Sequence, residues 1–275
     1  MIWGLLAISL ALLAIHRTAA LIVLLAAVIT GFITQTVIYP AIATVAIIFV
    51  LGALRIYFQQ NSVIKITTEL LLLAFGVALF LHLIPGFNNL KYLDKVQAGP
   101  HSAPFSMYFN FDKALIPFLL LCCMPGLFTT KPLAKVRPYA WIILAIAIPV
   151  LLSIATVLGG LAIELHMPQW LPAFILANIF FVSLAEEALF RGYIQQRLSQ
   201  WIHPYFALIV TALIFGGAHF AGGPLLVIFA TLAGLIYGLA WMWSGRLWVA
   251  VGFHFTLNLV HLLFFTYPIK LVTAL

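Results

Sequence analysis

Charged side chains are scarce in this sequence of 275 residues. Only 7% of the residues are Asp, Glu, Lys or Arg, whereas 65% are hydrophobic and the mean hydropathy is +1.19. A soluble domain carries roughly a quarter charged residues, so the composition excludes a water-soluble globular protein. It is typical of an integral, multi-pass membrane protein. Separately from composition, we expect that membrane to be a prokaryotic inner (plasma) membrane.

Cysteine and acidic residues are also few. The two cysteines, Cys122 and Cys123, are adjacent, which excludes a disulfide framework and a CxxC metal site. Six acidic residues stand against 13 Lys and Arg, giving a net charge of +7. In a membrane protein this excess is typical of loops that face anionic lipid, and no nucleic-acid-binding motif accompanies it. The lipid bilayer is therefore an expected partner, and nucleic acid is not.

Long hydrophobic runs are abundant. A helix needs about 20 apolar residues to cross a bilayer, and breaks at charges, Pro and Gly divide the chain into ten candidate segments. Their limits are 2–15, 19–38, 41–58, 66–84, 114–128, 138–158, 171–198, 204–220, 224–243 and 247–266. The sequence therefore predicts an all-α fold, a polytopic transmembrane bundle of about 8–10 helices.

The positive charges predict an orientation for this bundle. If all ten segments cross, the odd-numbered connections contain nine Lys and Arg, whereas the even-numbered ones and the C-terminal tail contain four. The positive-inside rule then places the odd-numbered connections in the cytoplasm. The polar loop at about 85–113 would lie outside, as a lid or an interfacial connector. We expect N-terminal transmembrane helices over 1–165, including this loop, and a helical core over 166–275.

Ionisable residues mark the C-terminal half. Such side chains are costly inside a membrane and usually indicate a functional site. Glu186 and Glu187 stand with Arg191 near the end of the seventh segment. Counted at 1.5 Å per residue from the turn that follows, Glu186 and His219 lie at the same depth, roughly 22 Å from the turn. Glu187 and Arg191 are spaced i, i+4, so their pairing would leave Glu186 free to titrate.

The last segment adds His254 and Asn258, which share one helix face because they are also spaced i, i+4. With ordinary tilts, Glu186, His219, His254 and Asn258 converge on one cavity. There a carboxylate beside an imidazole can take a proton from water while other donors stabilise an oxyanion. The alternatives are an interfacial Glu–Arg ion pair and histidines that only pack and hydrogen-bond, the interpretation kept for His261.

Three short motifs lie in order on three apolar segments. They are EExxxR (Glu186, Glu187, Arg191), FxxxH (Phe215, His219) and HxxxN (His254, Asn258). Together, over roughly residues 170–262 and with flanks such as AEEALFRGYIQQRL, they resemble the CPBP family of intramembrane endopeptidases. This family is the CAAX protease and bacteriocin-processing group, also called the abortive-infection family.

The resemblance implies an endopeptidase that hydrolyses peptide bonds of membrane-embedded or lipid-anchored protein or peptide substrates. It implies that Glu186 is the general base that activates water and that His219 positions this water. His254 and Asn258 would stabilise the oxyanion. The supporting residues would be Glu187, Arg191 and Phe215.

The resemblance favours an enzyme with no metal and no cofactor. The alternative is zinc held by Glu186, His219 and His254, since carboxylate and imidazole are both zinc ligands. A different alternative for the whole chain is a non-proteolytic membrane scaffold or a proton-coupled transporter, because intramembrane Glu and His also serve transporters. Transporters usually carry polar sites in both halves, whereas here the polar residues at depth fall almost entirely in the C-terminal half.

Overall fold

The computed structural model describes residues 1–271, so residues 272–275 of the predicted C-terminal core lie outside the described residues. Helices dominate this structure, which confirms the predicted all-α polytopic bundle. In chain order the elements are α1 (Ile2–Leu13), α2 (Arg17–Ile33), α3 (Tyr39–Tyr57), α4 (Ser62–Phe80), β1 (Leu90–Val96), β2 (Phe105–Phe109), α5 (Phe111–Ala114), α6 (Ile116–Cys123), α7 (Pro138–Val157), α8 (Leu171–Leu198), α9 (Pro204–Gly217), α10 (Pro224–Ser244) and α11 (Leu247–Phe264).

Six of these helices are long and apolar enough to cross a membrane by length and composition, namely α3, α4, α7, α8, α10 and α11. The helices α1, α2 and α9 are apolar but shorter. The chain is therefore an integral membrane protein. The expected span at 114–128 is much shorter than predicted, because α6 has only eight residues. Met124 is extended, as expected for a residue that precedes a proline, and this ends the helix before Pro125.

The odd-numbered connections meet at one end of the bundle. At the start of α2, Arg17 Nη2 donates to the carbonyl of Pro125 in the α6–α7 connection at 3.0 Å. In the same connection, Thr130 N donates to the carbonyl of Gly245, between α10 and α11, at 2.7 Å. The loops before α2, after α6 and after α10 are therefore neighbours.

A partly buried ionic cluster joins the helices at this same end. Glu69 of α4 accepts a hydrogen bond from Arg55 Nη2 of α3 at 2.7 Å, and its other oxygen accepts from Tyr193 Oη of α8 at 2.7 Å. Arg197, near the end of α8, also donates to Glu69. The C-terminal half of α8 is thus attached to the N-terminal helices.

The even-numbered connections and the C-terminal tail lie at the opposite end. Asn88 N donates to the carbonyl of Thr36 at 2.8 Å, which joins the α4–β1 and α2–α3 connections. Ser102 Oγ donates to Glu164 in the α7–α8 connection at 2.6 Å, and Glu164 N donates to the carbonyl of Phe264 at 3.1 Å. The alternation expected from ten crossings is therefore kept at these connections, since α5 and α6 together carry the chain across.

The polar loop at 85–113 contains regular structure that the sequence did not predict. Strands β1 and β2 form an antiparallel hairpin in which Leu90 pairs with Phe109 and Val96 pairs with Phe105. The hairpin packs over the even-numbered end of the bundle through its connecting loop, where Ser102 is fully buried.

The helix α8 carries the EExxxR motif and has an unusual backbone. Two π-helical segments, Asn178–Ser183 and Ala188–Gln195, flank a single α-helical turn at Leu184–Glu187. Such wide turns are rare and frequently occur at functional sites. They also change the angular positions of side chains around the helix, so a regular 3.6-residue period does not describe α8.

Two glycines bring α10 close to α8. A Cβ atom on Gly234 would lie 3.2 Å from Arg191 Nη2, and one on Gly238 would lie 2.7 Å from Gln195 Oε1. The two glycine carbonyls accept hydrogen bonds from the same side chains, at 2.9 Å from Arg191 and 3.2 Å from Gln195. This small-residue spacing therefore allows close helix packing and holds polar side chains of α8 inside the bundle.

Candidate active site

A buried ion pair between Glu187 and Arg191 joins three helices at the centre of the site. Glu187 of α8 is fully buried, and its Oε1 accepts hydrogen bonds from Arg191 Nη1 at 2.7 Å and from His254 Nδ1 at 2.8 Å. Arg191 Nη2 donates to the carbonyl of Gly234 in α10. Because a carboxylate paired with a guanidinium only accepts hydrogen bonds, His254 donates through Nδ1. In the neutral ring, Nε2 of His254 then carries a lone pair.

Aromatic rings fix the orientation of these groups. The Arg191 guanidinium lies 4.5 Å from the centre of the Phe215 ring and 5.2 Å from that of Tyr237. The ring of Tyr237 stacks on the imidazole of His254, with 4.6 Å between centroids and 11° between planes. Phe215 meets the same imidazole edge-on at 5.9 Å. His254 is therefore held by Glu187 at one nitrogen and by two rings.

His219 lies two residues beyond the end of α9 and is half-buried. Its Nδ1 donates to the carbonyl of Phe215 at 2.8 Å, and the two rings are 4.8 Å apart. Since a carbonyl can only accept, the neutral tautomer of His219 leaves Nε2 as an acceptor. The FxxxH spacing thus places both the phenyl ring and the backbone carbonyl of Phe215 against the imidazole of His219.

Asn258 is held by Asn178 of α8, which is itself bonded to Ser183, and sequence reasoning missed both of these polar residues. Its Nδ2 donates to Asn178 Oδ1 at 3.2 Å, and Ser183 Oγ donates to the same oxygen at 3.1 Å. Asn178 and Ser183 are buried and five residues apart, at the two ends of the first π-helical segment. The sequence did contain a signal for them, namely two polar residues five positions apart inside an apolar run.

Three of the four predicted catalytic side chains share one cavity. His219, His254 and Asn258 line a cavity of about 380 Å³, together with His261 and Tyr237. Its remaining walls are mainly apolar and come from α7 and α10, and its mouth is at the even-numbered end of the bundle. The mouth residues include Gly160, Gly222 and Lys270.

Glu186 does not share this cavity. It is buried, with 7% of its surface exposed, and its carboxylate makes no hydrogen bond with the part of the chain that the structure describes. It is absent from the residues that line the cavity. The structure therefore brings together three of the four predicted catalytic side chains, and the convergence of Glu186 with them stays a prediction. Consecutive residues on a helix point about 100° apart, and it is Glu187 that faces His254.

The zinc alternative can be compared with these positions. Among residues 1–271, no three His, Cys, Asp or Glu side chains are grouped as ligands for one metal ion. The Nδ1 atoms of His219 and His254 both donate to protein oxygens, and Glu186 is not among the residues that line the cavity. Glu186, His219 and His254 are not grouped around one point in this arrangement, and we derive no chemical step through a metal.

A second polar cluster fixes the tail at the cavity mouth. Glu164 accepts hydrogen bonds from His101 N at 2.9 Å, Ser102 Oγ at 2.6 Å and His166 Nε2 at 2.8 Å. Burial disfavours the charged carboxylate, but these hydrogen bonds outweigh burial and lower the pKa of Glu164. Ser102 Oγ also accepts from Tyr267 N at 2.9 Å. The segment after α11, which lines the mouth, is thus tied to two other connections.

The comparisons with known proteins concern the C-terminal part of the chain. Residues 168–260 match the profile of the family described as type II CAAX prenyl endopeptidase Rce1-like. The uncharacterized protein YpbD of Bacillus subtilis (strain 168) is 30% identical over 104 residues, which cover 37% of this chain and 50% of YpbD. The chain therefore spans about half the length of this relative. No solved structure matches the chain. The matched region contains all three motifs, so the match over residues 168–260 supports the CPBP and CAAX protease family that the motifs predicted.

Proposed function

We propose that this chain is an intramembrane endopeptidase that hydrolyses peptide bonds of membrane-embedded or lipid-anchored proteins in a prokaryotic inner membrane. The observation that carries the proposal is the shared cavity. His219, His254 and Asn258 line it, and all three belong to the stretch that matches the Rce1-like family. A buried cavity with few convergent polar groups and apolar walls is the usual form of a site for an apolar substrate.

In this proposal Glu186 is the base that activates water. Of the two adjacent carboxylates, Glu187 is committed to Arg191 and His254, whereas Glu186 has no hydrogen-bond partner among the described residues. The acceptor nitrogen of His219 orients the water. The water oxygen bonds to the scissile carbonyl carbon as its proton moves to Glu186. When the C–N bond breaks, this proton passes to the leaving amine nitrogen.

The negative charge on the carbonyl oxygen needs hydrogen-bond donors. One amide hydrogen of Asn258 is used by Asn178, and the second remains for the oxyanion. His254 contributes when its ring carries two protons, because Nδ1 still donates to Glu187 and Nε2–H becomes a donor. The proposed step uses no metal and no cofactor.

The test begins in cells and continues with purified protein. New protein N-termini are compared between wild-type cells and cells with the Glu186→Gln variant. A quenched fluorescent peptide that spans a mapped cleavage site is then offered to each purified protein in proteoliposomes. The control is Asp94→Asn, which makes the same carboxylate-to-amide change on the exposed hairpin. We expect cleavage by the wild type and the control, and none by Glu186→Gln.

Two results would overturn the proposal, in different ways. Wild-type cleavage by purified Glu186→Gln would remove the base assignment and leave an endopeptidase with a different base. If no N-terminus depends on the wild-type protein, and no peptide is cleaved, the endopeptidase proposal falls. The scaffold and proton-coupled transporter alternatives would then be favoured.

A further inference from the structure

Tyr237 lies at the centre of the cavity but belongs to none of the three motifs. It is on α10, only 1% of its surface is exposed, and it lines the cavity together with His219, His254 and Asn258. Its hydroxyl makes no hydrogen bond with any residue in 1–271. The hydroxyl oxygen is also not among the unpaired polar atoms that are completely inaccessible to solvent. A buried tyrosine hydroxyl usually has a partner. The Tyr237 hydroxyl is therefore a free donor at the cavity surface.

The imidazoles of the cavity do not supply such a donor in their neutral forms. His219 and His254 use Nδ1 to donate to a backbone carbonyl and to Glu187, respectively, so each presents Nε2 as an acceptor. His261 donates to a backbone carbonyl through Nε2 and so presents Nδ1 as an acceptor. Three acceptors suit the binding of water but do not stabilise an oxyanion.

We propose that Tyr237 Oη donates a hydrogen bond to the carbonyl oxygen of the scissile bond as this oxygen becomes negative. Asn258 supplies one donor, through its second amide hydrogen, and Tyr237 supplies another from the neighbouring helix. Tyr237 keeps its proton throughout, since the proton for the leaving amine comes from water through Glu186. This inference rests on the proposed endopeptidase function and adds a catalytic residue to it.

The packing of Tyr237 allows a substitution to remove its hydroxyl while the contacts of its ring are kept. The ring stacks on His254 at 4.6 Å, lies 5.2 Å from the Arg191 guanidinium and meets Phe215 edge-on at 6.0 Å. None of these contacts uses the hydroxyl. Phenylalanine at this position keeps all three contacts and removes only the proposed donor.

The experiment compares Tyr237→Phe with a matched control, Tyr193→Phe. Tyr193 is also a tyrosine near the core, but its hydroxyl donates to Glu69 and it is not among the cavity residues. An oxyanion donor typically contributes about 10²- to 10³-fold in rate. With the quenched peptide, we expect Tyr237→Phe to lower kcat by a factor in this range with little change in KM. Tyr193→Phe should keep the wild-type kcat.

A binding measurement separates stabilisation of the oxyanion from simple positioning. A trifluoromethyl ketone with the same peptide sequence forms a hydrate that resembles the tetrahedral intermediate, whereas an uncleavable reduced-bond peptide resembles the substrate. Tyr237→Phe should weaken binding of the ketone by the same factor as kcat and leave binding of the reduced peptide unchanged.

The outcomes separate this inference from the proposed function. Wild-type kcat in Tyr237→Phe, or equal weakening of both ligands, would overturn the oxyanion role while the endopeptidase remained. If the wild type cleaves no peptide, the proposed function fails, and the role of Tyr237 fails with it. An unchanged melting temperature in Tyr237→Phe would show that the loss of kcat is not a loss of folded protein.

Discussion

The Nδ1 atom of His254 lies 2.8 Å from Glu187 Oε1, the same oxygen that accepts from Arg191 Nη1 at 2.7 Å. One carboxylate oxygen thus sets the tautomer of an imidazole and balances a buried guanidinium. The adjacent carboxylate, Glu186, takes part in neither contact. The pair of glutamates in the EExxxR motif therefore has two environments. Glu187 accepts two hydrogen bonds through Oε1, whereas Glu186 has no hydrogen-bond partner among the described residues.

This arrangement predicts that Glu187→Gln is strongly destabilising. The change leaves the fully buried Arg191 without its counterion, and the removal of one partner from a buried ion pair costs about 3–5 kcal/mol. We expect a clear fall in the melting temperature of the purified protein in detergent, together with loss of activity. Glu186→Gln is the control, and it should melt near the wild-type temperature. Equal melting temperatures for Glu187→Gln and the wild type would contradict the structural role of this ion pair.

Local spacing along one helix could be predicted from the sequence. The pairing of Glu187 with Arg191 follows from the i, i+4 rule, but the contact between Glu187 and His254 joins residues 67 positions apart and depends on how α8 and α11 pack. Depth could likewise be counted from a turn, whereas direction around the helix could not. The two π-helical segments of α8 shift that direction, so a regular helical period could not give the side on which Glu186 lies.

The hairpin was missed for a different reason. Its strands, Leu90–Val96 and Phe105–Phe109, contain residues with good strand propensity, but they are short and separated by a loop with Gly and Pro. The register between them is irregular. Two such strands are only marginally stable in isolation. The hairpin therefore depends on contacts with the rest of the chain, such as the hydrogen bond between Ser102 and Glu164. These long-range contacts have no local sequence signal.

The orientation of the bundle gives a second prediction. The hairpin lies at the end opposite most of the positive charges, so it should face outward. In a chain with Cys122 and Cys123 replaced by alanine, Asp94→Cys should react with a membrane-impermeant maleimide in intact cells. Gln200→Cys, an exposed position at the other end, should react only after lysis. The reverse pattern of labelling would show that the odd-numbered connections face outward.

The cluster at the cavity mouth gives a prediction about pH. The pKa of Glu164 is lower in the folded protein than its ordinary value of 4.5. The ionised carboxylate therefore stabilises the folded state at pH values above 4.5. This stabilisation is lost as the pH falls through the pKa that Glu164 has in the folded protein. Near neutral pH, the wild type should melt at a higher temperature than Glu164→Gln, and the difference should not change with pH. This difference should shrink as the pH is lowered from about 5 to 3. A difference that stays constant over this range would show that the charge of Glu164 does not contribute.

The last prediction separates glutamate chemistry from zinc chemistry. A zinc ion held by Glu186, His219 and His254 would need all three side chains at roughly 2.0 to 2.2 Å. The loss of any one ligand should release such an ion. The proposed mechanism instead uses the imidazoles as hydrogen-bond partners of water and oxyanion. We therefore expect purified protein to contain substoichiometric zinc and to keep its activity after treatment with a chelator.

Asn258→Ala extends the same test, because it removes a donor that no zinc site of these three residues would need. In the proposed mechanism this change should lower kcat about 10²- to 10³-fold and leave the metal content unaltered. One zinc per chain, with activity lost on chelation and restored by added zinc, would replace the glutamate mechanism. Glu186, His219 and His254 would then hold the ion, and the free amide hydrogen of Asn258 would no longer be required for turnover.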